Sequence, residues 1–290
     1  MSKQVSEVKT FKYSWEEAIE ILRNDPSQQE LIFNSYLTRD LLNNCRRFAS
    51  SDEFAQSLAL LRQFSPAAVD LMDMPGGNGI AVHAFAGAGL EVTTVEPNPS
   101  EAVGRGAIAH VLAASGLRAK IIDAWGENLP FASASFDAVY VRQGLHHAAD
   151  LNKMLSEIGR VLRPSGVLLA CREHVVDNYG KSLQAFLASQ VDHQLYGGEH
   201  AFTLYDYRDA IEGCGLKLEL ELGPFDSIIN AYPNTPEVLR SKILQSTAGR
   251  LLRRFLPDDA VVSIGNWRIK RKRTPGRLYS FIATKPSDTY

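Results

Sequence analysis

The heptapeptide DMPGGNG, at residues 73–79, joins an acidic residue to a glycine-rich turn. It follows a short apolar run, AAVDLMD at 67–73, and precedes GIAVHAFAGAG at 79–89, whose composition predicts a helix ended by glycine. A short turn between a strand and a helix exposes backbone N–H groups, and glycines let a ligand approach them closely. Read alone, the stretch fits either a ligand-binding turn or an ordinary tight corner, because Pro75 has no N–H to donate.

Strand-like and helix-like segments alternate along the chain from this turn onward. The predicted strands lie at 67–73, 90–96, 117–125, 135–142, 166–173, 216–223 and 277–285, and predicted helices at 79–89, 100–116 and 150–163 separate the first of them. This alternation is typical of right-handed βαβ units. We therefore predict an α/β fold with a doubly wound, mostly parallel, seven-stranded sheet of the Rossmann-like type.

Segments too long for ordinary connections predict three additions to this core. The first begins with a capping-box pattern, Ser14 to Glu17, and continues with helical segments at 28–46 and 52–63. The predicted organisation is an N-terminal helical cap over 1–66, an α/β core over 67–223 with a substrate-side insert at 174–203, a helical insert over 224–276, and a last strand and tail over 277–290.

The composition indicates a globular protein without a polyanionic partner. The chain has 290 residues, of which 45% are hydrophobic, and its formal net charge of −2 gives no general attraction to nucleic acid or anionic membranes. Its three cysteines fit neither a disulfide framework nor metal-ligand spacing, and no metal site is predicted. The N-terminus lacks the apolar run of a signal peptide, and no stretch approaches the roughly 20 apolar residues of a membrane span. We expect a cytoplasmic protein.

The residues around the turn favour a positively charged nucleoside as the ligand. The dinucleotide fingerprint G-x-G-x-x-G/A fails because Val82 stands where a small residue is needed, and no phosphate-loop motif is present. Glu96 ends the next predicted strand, where a carboxylate can accept hydrogen bonds from both hydroxyls of a ribose. Asp73 adds a second negative charge near the ligand.

Four stretches together resemble a known family: DMPGGNG (73–79), VEPNPS (95–100), WGENLPFASASFDAVYVRQGLHH (125–147) and EIGRVLRPSGVLLA (157–170). The chain resembles the class I S-adenosylmethionine-dependent methyltransferases of the small-molecule "type 11" group. The resemblance implies the Rossmann-like methyltransferase fold and S-adenosyl-L-methionine as the cofactor. Pro75 replaces the first glycine of the family's D-x-G-x-G-x-G loop. Trp125 stands where an adenine-contacting Asp is usual, and Asp123 could fill that role in a shifted register.

The resemblance also implies roles for individual residues on the cofactor side. Asp73 and the backbone of the glycine turn would hold the methionine part, Glu96 would bind the ribose, and Arg142-Gln143 would pass beneath the sulfonium. The full set of implied cofactor-binding residues is Asp73, Pro75, Gly77, Asn78, Gly79, Glu96, Pro97, Trp125, Gly126, Glu127, Arg142 and Gln143.

The acceptor side is predicted from polar residues that follow the fourth and fifth strands. His147 is the predicted catalytic base, accepting the acceptor's proton; capping or packing of the following helix is the alternative for either His146 or His147. Arg172-Glu173-His174 could equally form a surface salt bridge, and YGGEHAF (196–202) could be a linker. The predicted substrate-binding residues are Tyr36, His146, Arg172, His174, Tyr196 and His200.

The predicted function is methyl transfer to a small-molecule acceptor by direct displacement. The stretch RQGLHH lacks the Asn/Asp-Pro-Pro-aromatic element of enzymes that methylate base amines, so nucleic acid is a disfavoured partner. The basic run RIKRKR (268–273) could touch RNA or an acidic substrate, but a solvated turn is favoured. One alternative function is a cyclase or lyase that acts on the cofactor's own aminobutyryl arm and releases methylthioadenosine. A second alternative is a non-catalytic nucleoside-binding module.

Overall fold

The computed structural model describes residues 11–287, in which helices pack on both faces of one eight-stranded sheet. The strands are β1 Asp70–Asp73, β2 Glu91–Val95, β3 Lys120–Ile122, β4 Phe136–Arg142, β5 Leu162–Val176, β6 Phe202–Thr203, β7 Lys217–Leu222 and β8 Arg277–Thr284. The helices are α1 Trp15–Asn24, α2 Gln29–Asn34, α3 Leu41–Ala49, α4 Asp52–Phe64, α5 Ile80–Gly87, α6 Arg105–Ser115, α7 Leu151–Val161, α8 Lys181–Ser189, α9 Val191–Tyr196, α10 Leu204–Gly213, α11 Ile228–Ala231, α12 Pro236–Gln245, α13 Thr247–Leu252 and α14 Asp258–Lys270. Short 3-10 turns cover Pro26–Gln28 and Leu145–His147.

The strand order is β3-β2-β1-β4-β5-β8-β7, with β6 paired to the end of β5. Strands β1 to β6 pair in parallel, whereas β8 is antiparallel to both β5 and β7. The predicted mostly parallel, doubly wound sheet is confirmed. It contains one strand more than the seven predicted, because β6 has only two residues and gives no pattern in the sequence. The chain order reverses between β1 and β4, and ligands of such sheets bind in the crevice beyond the carboxyl ends at that point.

Successive residues of the central strands are buried on opposite faces of the sheet. Leu71 and Tyr140 pack with α3 to α6 on one face, whereas Met72 and Val139 pack with α7 and α10 on the other. Burial on both faces explains why β4 reads FDAVYVR, an almost continuous apolar run rather than an alternating pattern. The sheet therefore forms the rigid base on which the loops at the carboxyl ends are held.

The N-terminal cap contains one more break than the sequence predicted. The predicted helix at 28–46 is divided into α2 and α3, because Tyr36 adopts a left-handed φ of 58° and Asp40 caps α3 by accepting a hydrogen bond from the N–H of Asn43. The capping box predicted from Ser14 and Glu17 is present at the start of α1.

The two predicted inserts are mainly helical. The insert after β5 contains α8 and α9, and the insert before β8 contains α11 to α14. The basic run 268–273 begins in the last turn of α14 rather than lying wholly in a turn, and its residues 271–273 are exposed. Across residues 11–287, no helix has the length and apolarity needed to span a bilayer.

A buried ion pair joins the helical cap to the end of β4. Arg142 donates from Nε to Oε1 of Glu53 at 2.7 Å, and a second guanidinium nitrogen lies 3.2 Å from Oε2. The Glu53 side chain is fully buried, and Nε of Arg172, on β5, lies 3.8 Å from the same carboxylate. Removal of one member of a buried pair leaves an uncompensated charge, so loss of either side chain is expected to destabilise the junction of α4 with the sheet.

The substitution Glu53→Ala is expected to lower the free energy of unfolding by about 3–5 kcal/mol, since it leaves buried guanidinium charge without its carboxylate. Urea unfolding followed by circular dichroism measures the change. Gln56→Ala, at an exposed position of the same helix, is the matched control and should stay within about 0.5 kcal/mol of wild type. Equal losses in the two variants would contradict a stabilising role for the ion pair.

Candidate cofactor and acceptor site

The turn DMPGGNG connects β1 to α5 and is pinned to the neighbouring strand β2. Gly77 and Gly79 have left-handed φ values of 53° and 92°, and the Met74–Pro75 peptide bond is cis. The N–H of Gly76 donates to the carbonyl of Val95 at 3.0 Å. A Cβ at Gly76 would lie 2.2 Å from Oγ1 of Thr94, whereas one at Gly77 would meet nothing within 4 Å. The turn is therefore packed against β2 at Gly76 and open at Gly77.

Asp73 is buried at the carboxyl end of β1 with one oxygen unpartnered. Its Oδ2 accepts a hydrogen bond from Oγ1 of Thr94 at 3.1 Å, but its Oδ1 has no partner within residues 11–287. Burial raises the pKa of Asp73 to about 7, and the negative charge of Glu96 acts in the same direction. A buried acceptor without a donor is costly to the protein alone. It fits a ligand that brings a cationic N–H donor, such as the ammonium group of S-adenosylmethionine.

Glu96 follows the last residue of β2, and its carboxylate accepts hydrogen bonds from the glycine turn and from the segment after β2. Its Oε2 accepts from the N–H of Gly77 at 2.8 Å and its Oε1 from the N–H of Asn98 at 2.9 Å. Burial raises the pKa of Glu96, and these two hydrogen bonds oppose that rise. A carboxylate has lone pairs beyond these two contacts, so the same group can also accept hydrogen bonds from ribose hydroxyls.

Arg105, at the start of α6, is a site residue that the sequence did not single out. Its guanidinium donates to the carbonyls of Glu96 at 2.9 Å and Pro97 at 2.6 Å, and forms an ion pair with Asp123 at 2.8 Å. It thus fixes the segment after β2 relative to the segment after β3. An arginine between two glycines, as in GRG at 104–106, gave no motif that would have identified this role.

The residues predicted to line the adenine edge have different surroundings. Trp125 is 69% exposed, whereas a Cβ at Gly126 would lie 2.5 Å from the methyl carbon of Met74. Glu127 accepts a hydrogen bond from the N–H of Ala149 at 2.9 Å, so it holds the turn that precedes α7. Their roles toward adenine stay predictions.

Pro75 packs directly on the loop that carries the two adjacent histidines. A Cβ at Gly144 would lie only 2.3 Å from Cδ of Pro75, so glycine is required in RQGLHH for the two loops to meet. Gln143, beside it, has a left-handed φ of 51°. Asn78 adds a link to the cap, donating from Nδ2 to the carbonyl of Tyr36 at 2.6 Å. The cofactor turn, the cap and the loop after β4 therefore meet at one place.

The two histidines face a carboxylate of the insert after β5. Nδ1 of His146 lies 2.7 Å from Oε2 of Glu173, and its Nε2 lies 3.6 Å from Oε2 of Glu199. His147 places Nδ1 2.9 Å from the carbonyl of Gly198 and Nε2 3.8 Å from Oε1 of Glu199. The hydroxyl of Tyr196 donates to that same Oε1 at 2.9 Å. Both histidines thus turn Nε2 toward Glu199.

The charges within this group shift several pKa values. Burial favours a neutral His146, but Glu173 and Glu199 outweigh it and raise its pKa to about 9. Burial also opposes ionisation of Glu199, yet the neighbouring histidines hold its pKa well below the usual range. Desolvation and the His146 charge lower the pKa of His147, and the same two causes lower that of His174 to about 4. The charge of each member of this group therefore affects the pKa of at least one other member.

The other predicted substrate-binding residues are distributed around this cluster. His174 lies against His146, with ring centroids 4.8 Å apart, and the ring of His200 packs against Phe202. Tyr36 is buried and stacks on Tyr232. Arg172 donates to the carbonyls of Ile229 and Tyr232, so its guanidinium is engaged within the protein. Substrate binding by these residues stays a prediction.

Two carboxylates central to the cluster, Glu173 and Glu199, were absent from the predicted site residues. Both lie in stretches that the sequence analysis singled out, Arg172-Glu173-His174 and YGGEHAF. They are distant along the chain from the LHH triplet, so their contacts with its histidines could not be predicted.

Several known proteins that resemble this chain are named as methyltransferases. Residues 72–170 match the family model described as "Methyltransferase domain". An uncharacterized methyltransferase of Mycolicibacterium vanbaalenii is 35% identical over 103 residues, covering 36% of this chain and 38% of the relative. A demethylmenaquinone methyltransferase of Clavibacter sepedonicus is 28% identical over 152 residues, covering 52% of this chain and 60% of the relative. The matches therefore span only part of each relative's length.

A solved structure extends the likeness of the fold to nearly the whole chain. The phosphoethanolamine N-methyltransferase 2 of Haemonchus contortus, in complex with S-adenosyl-L-methionine, superposes with a TM-score of 0.58 at 20% identity. The superposition covers 96% of this chain and 61% of that one.

Residues 72–170 therefore match a methyltransferase domain, in agreement with the resemblance that the sequence motifs carry. This match agrees with the predicted enzyme class, and the Haemonchus contortus enzyme of similar fold is in complex with S-adenosyl-L-methionine, the predicted cofactor. The unpartnered oxygen of Asp73, the open Gly77 and the carboxylate of Glu96 are compatible with that cofactor.

Asp73→Asn is expected to stabilise the ligand-free protein in a pH-dependent way. The folded-state pKa of about 7 lies above the ordinary value of 3.8, so the wild type loses stability as pH rises from about 4 to about 7. The asparagine variant lacks this loss and should gain about 1–3 kcal/mol at pH 8, with the gain shrinking toward pH 5. Urea unfolding at several pH values measures it; a gain that does not vary with pH would contradict the assignment.

Proposed function

We propose that this chain catalyses S-adenosylmethionine-dependent methyl transfer to a small-molecule acceptor by direct displacement. The observation that carries the proposal is the buried, unpartnered Oδ1 of Asp73 beside the open Gly77. The names of the curated relatives, among them a demethylmenaquinone methyltransferase, support methyl transfer and a small organic acceptor.

The cofactor would be held by groups at the carboxyl ends of β1 and β2. Asp73 would accept from its amino group, the backbone at Gly77 would permit close approach, and Glu96 would accept from its ribose. When bound, S-adenosylmethionine supplies an electrophilic methyl group, so the protein mainly needs to align the acceptor and exclude water. Lining of the adenine by Trp125 and Gly126 is part of the proposal.

The acceptor would lie on the side of His146 and His147. Packing of Pro75 against Gly144 joins their loop to the cofactor turn. The carbonyl of Gly198 accepts only a donated proton, so in the neutral ring of His147 Nδ1 carries the hydrogen and Nε2 keeps its lone pair. This lone pair on Nε2 of His147 is the proposed acceptor of the substrate's proton.

The cap and the insert after β5 would close the acceptor side. Trp15 of α1 packs on Tyr196 of α9, with ring centroids 4.6 Å apart. Leu195 joins the apolar cluster that Ile19 and Leu22 form in the cap. These contacts support a role for both additions in shaping an acceptor pocket.

Two other functions remain outcomes of the test. A cyclase or lyase acting on the cofactor's aminobutyryl arm would release methylthioadenosine and need no acceptor. A non-catalytic nucleoside-binding module would bind the cofactor and leave it unchanged. The relatives' names support methyl transfer over both.

The test is to incubate the purified chain with S-adenosylmethionine, with and without the small-molecule fraction of a cell extract, and to identify the nucleoside product by mass spectrometry. We expect S-adenosylhomocysteine, formed only when the extract is present. Methylthioadenosine formed without extract would overturn methyl transfer, and binding with no product from a panel of extracts would favour the non-catalytic module.

Asp73→Asn is expected to weaken binding of S-adenosylmethionine by about 1–3 kcal/mol, through loss of a charged hydrogen bond. Glu96→Ala should weaken it by a similar amount. Asp70→Asn is the matched control, because Asp70 begins the same strand at its far end and pairs with Arg163. Titration calorimetry measures all of these affinities. An Asp73→Asn affinity equal to that of the control would show that Asp73 does not contact the cofactor.

A further inference from the structure

His146, His147 and Glu199 form a compact set of potential metal ligands. One ring nitrogen of each histidine and a carboxylate oxygen of Glu199 lie within 4.8 Å of one another. His146 is 1% exposed and Glu199 8%, whereas His147 is 36% exposed and gives access from solvent. The set combines chain segments from the loop after β4 and the insert after β5.

The opposite nitrogen of each histidine is already engaged. Nδ1 of His146 is bonded to the buried carboxylate of Glu173, and Nδ1 of His147 to the carbonyl of Gly198. Glu173 is itself fixed by the backbone N–H groups of Gly144 and His146, each at 3.0 Å. Metal-binding histidines usually donate their second ring N–H to a carboxylate or a carbonyl, which fixes the tautomer and the ring orientation. Both histidines here have such a partner.

The distances across the set are too long for direct hydrogen bonds but suitable for a shared ion. Nε2 of His146 and of His147 lie 3.6 and 3.8 Å from the two oxygens of Glu199, beyond hydrogen-bond length. Ligands about 2.1 Å from a tetrahedral Zn²⁺ lie roughly 3.4 Å apart. His146 lies between two carboxylates, and His147 directs its Nε2 to one of the same two, so both histidines converge on Glu199.

We propose that His146, His147 and Glu199 bind one divalent first-row transition-metal ion, with Zn²⁺ as the reference ion. Two imidazoles and one carboxylate leave a tetrahedral ion one open position, as in catalytic zinc sites. An oxygen of the acceptor could occupy that position, and the ion would then lower the pKa of the oxygen's proton. Metal binding converts the lone pair of His147 from a base into a ligand. The site goes beyond the proposed methyl transfer, because it would hold the ion whether or not transfer occurs.

The test is calorimetric titration of Zn²⁺ into tag-free protein that has been treated with a chelator and dialysed. We expect one equivalent to bind to wild type. His147→Ala and Glu199→Gln should each weaken binding at least about tenfold, and Glu173→Gln by about 10–100-fold through loss of the outer partner of His146. The spectrum of added Co²⁺ should show the intense visible bands of low coordination, and these should be lost in Glu199→Gln.

His110→Ala is the matched control, because His110 is exposed on α6, outside this cluster. It should bind Zn²⁺ as wild type does. Thermal unfolding of each variant checks that the fold is intact, and titration of S-adenosylmethionine tests the cofactor site separately. Failure of wild type to bind either ion, or equal binding by wild type, His147→Ala and Glu199→Gln, would overturn the metal site. If wild type binds Zn²⁺ but does not bind S-adenosylmethionine, only the proposed function is overturned.

Discussion

The candidate site depends on a carboxylate that the sheet buries without a full set of partners. Asp73 ends β1 at the point where the strand order reverses, and only one of its oxygens accepts a hydrogen bond within the described residues. Burial disfavours the ionised form of Asp73, so in the ligand-free protein its ionisation costs stability. Such a destabilising arrangement is expected where a ligand supplies the missing donor.

The elements around Asp73 form a frame that links three parts of the chain. Glu96 holds the glycine turn through Gly77, and Pro75 packs against Gly144 in the loop after β4. The cap is joined to the same region by the Glu53–Arg142 ion pair. The turn therefore holds its shape through contacts with three separate segments, and Pro75 contributes by packing where a glycine would contribute little.

Local patterns were sufficient to predict most of the sheet and the position of the cofactor turn. The strands β1, β2 and β4 are short apolar runs bounded by turns, and their alternation with helices predicts parallel pairing. The break between α2 and α3 was missed because no glycine or proline marks it; it lies at Tyr36, which has a left-handed φ and whose carbonyl accepts a hydrogen bond from the distant Asn78. Strand β6 was missed because two residues carry no periodicity.

The acceptor side was only partly predictable for the same reason. The sequence identified His146, His147 and the stretch that contains Glu199, but not that they face one another. That arrangement depends on how α8 and α9 bring the insert back over the loop after β4, and on Glu173 inside β5, a strand that is longer than predicted. Residue type and spacing indicated that polar side chains lie near the site. Which of these side chains contact one another could be seen only in the tertiary structure.

The most direct test of the central claim is the affinity for S-adenosylmethionine between pH 8 and pH 6, measured by calorimetry for wild type and Asp73→Asn. If the ammonium group binds ionised Asp73, whose pKa in the ligand-free protein is about 7, wild-type affinity should fall up to about tenfold on acidification. The variant should then bind weakly and show a smaller pH dependence. The same pH dependence in both proteins, or none in wild type, would contradict the account.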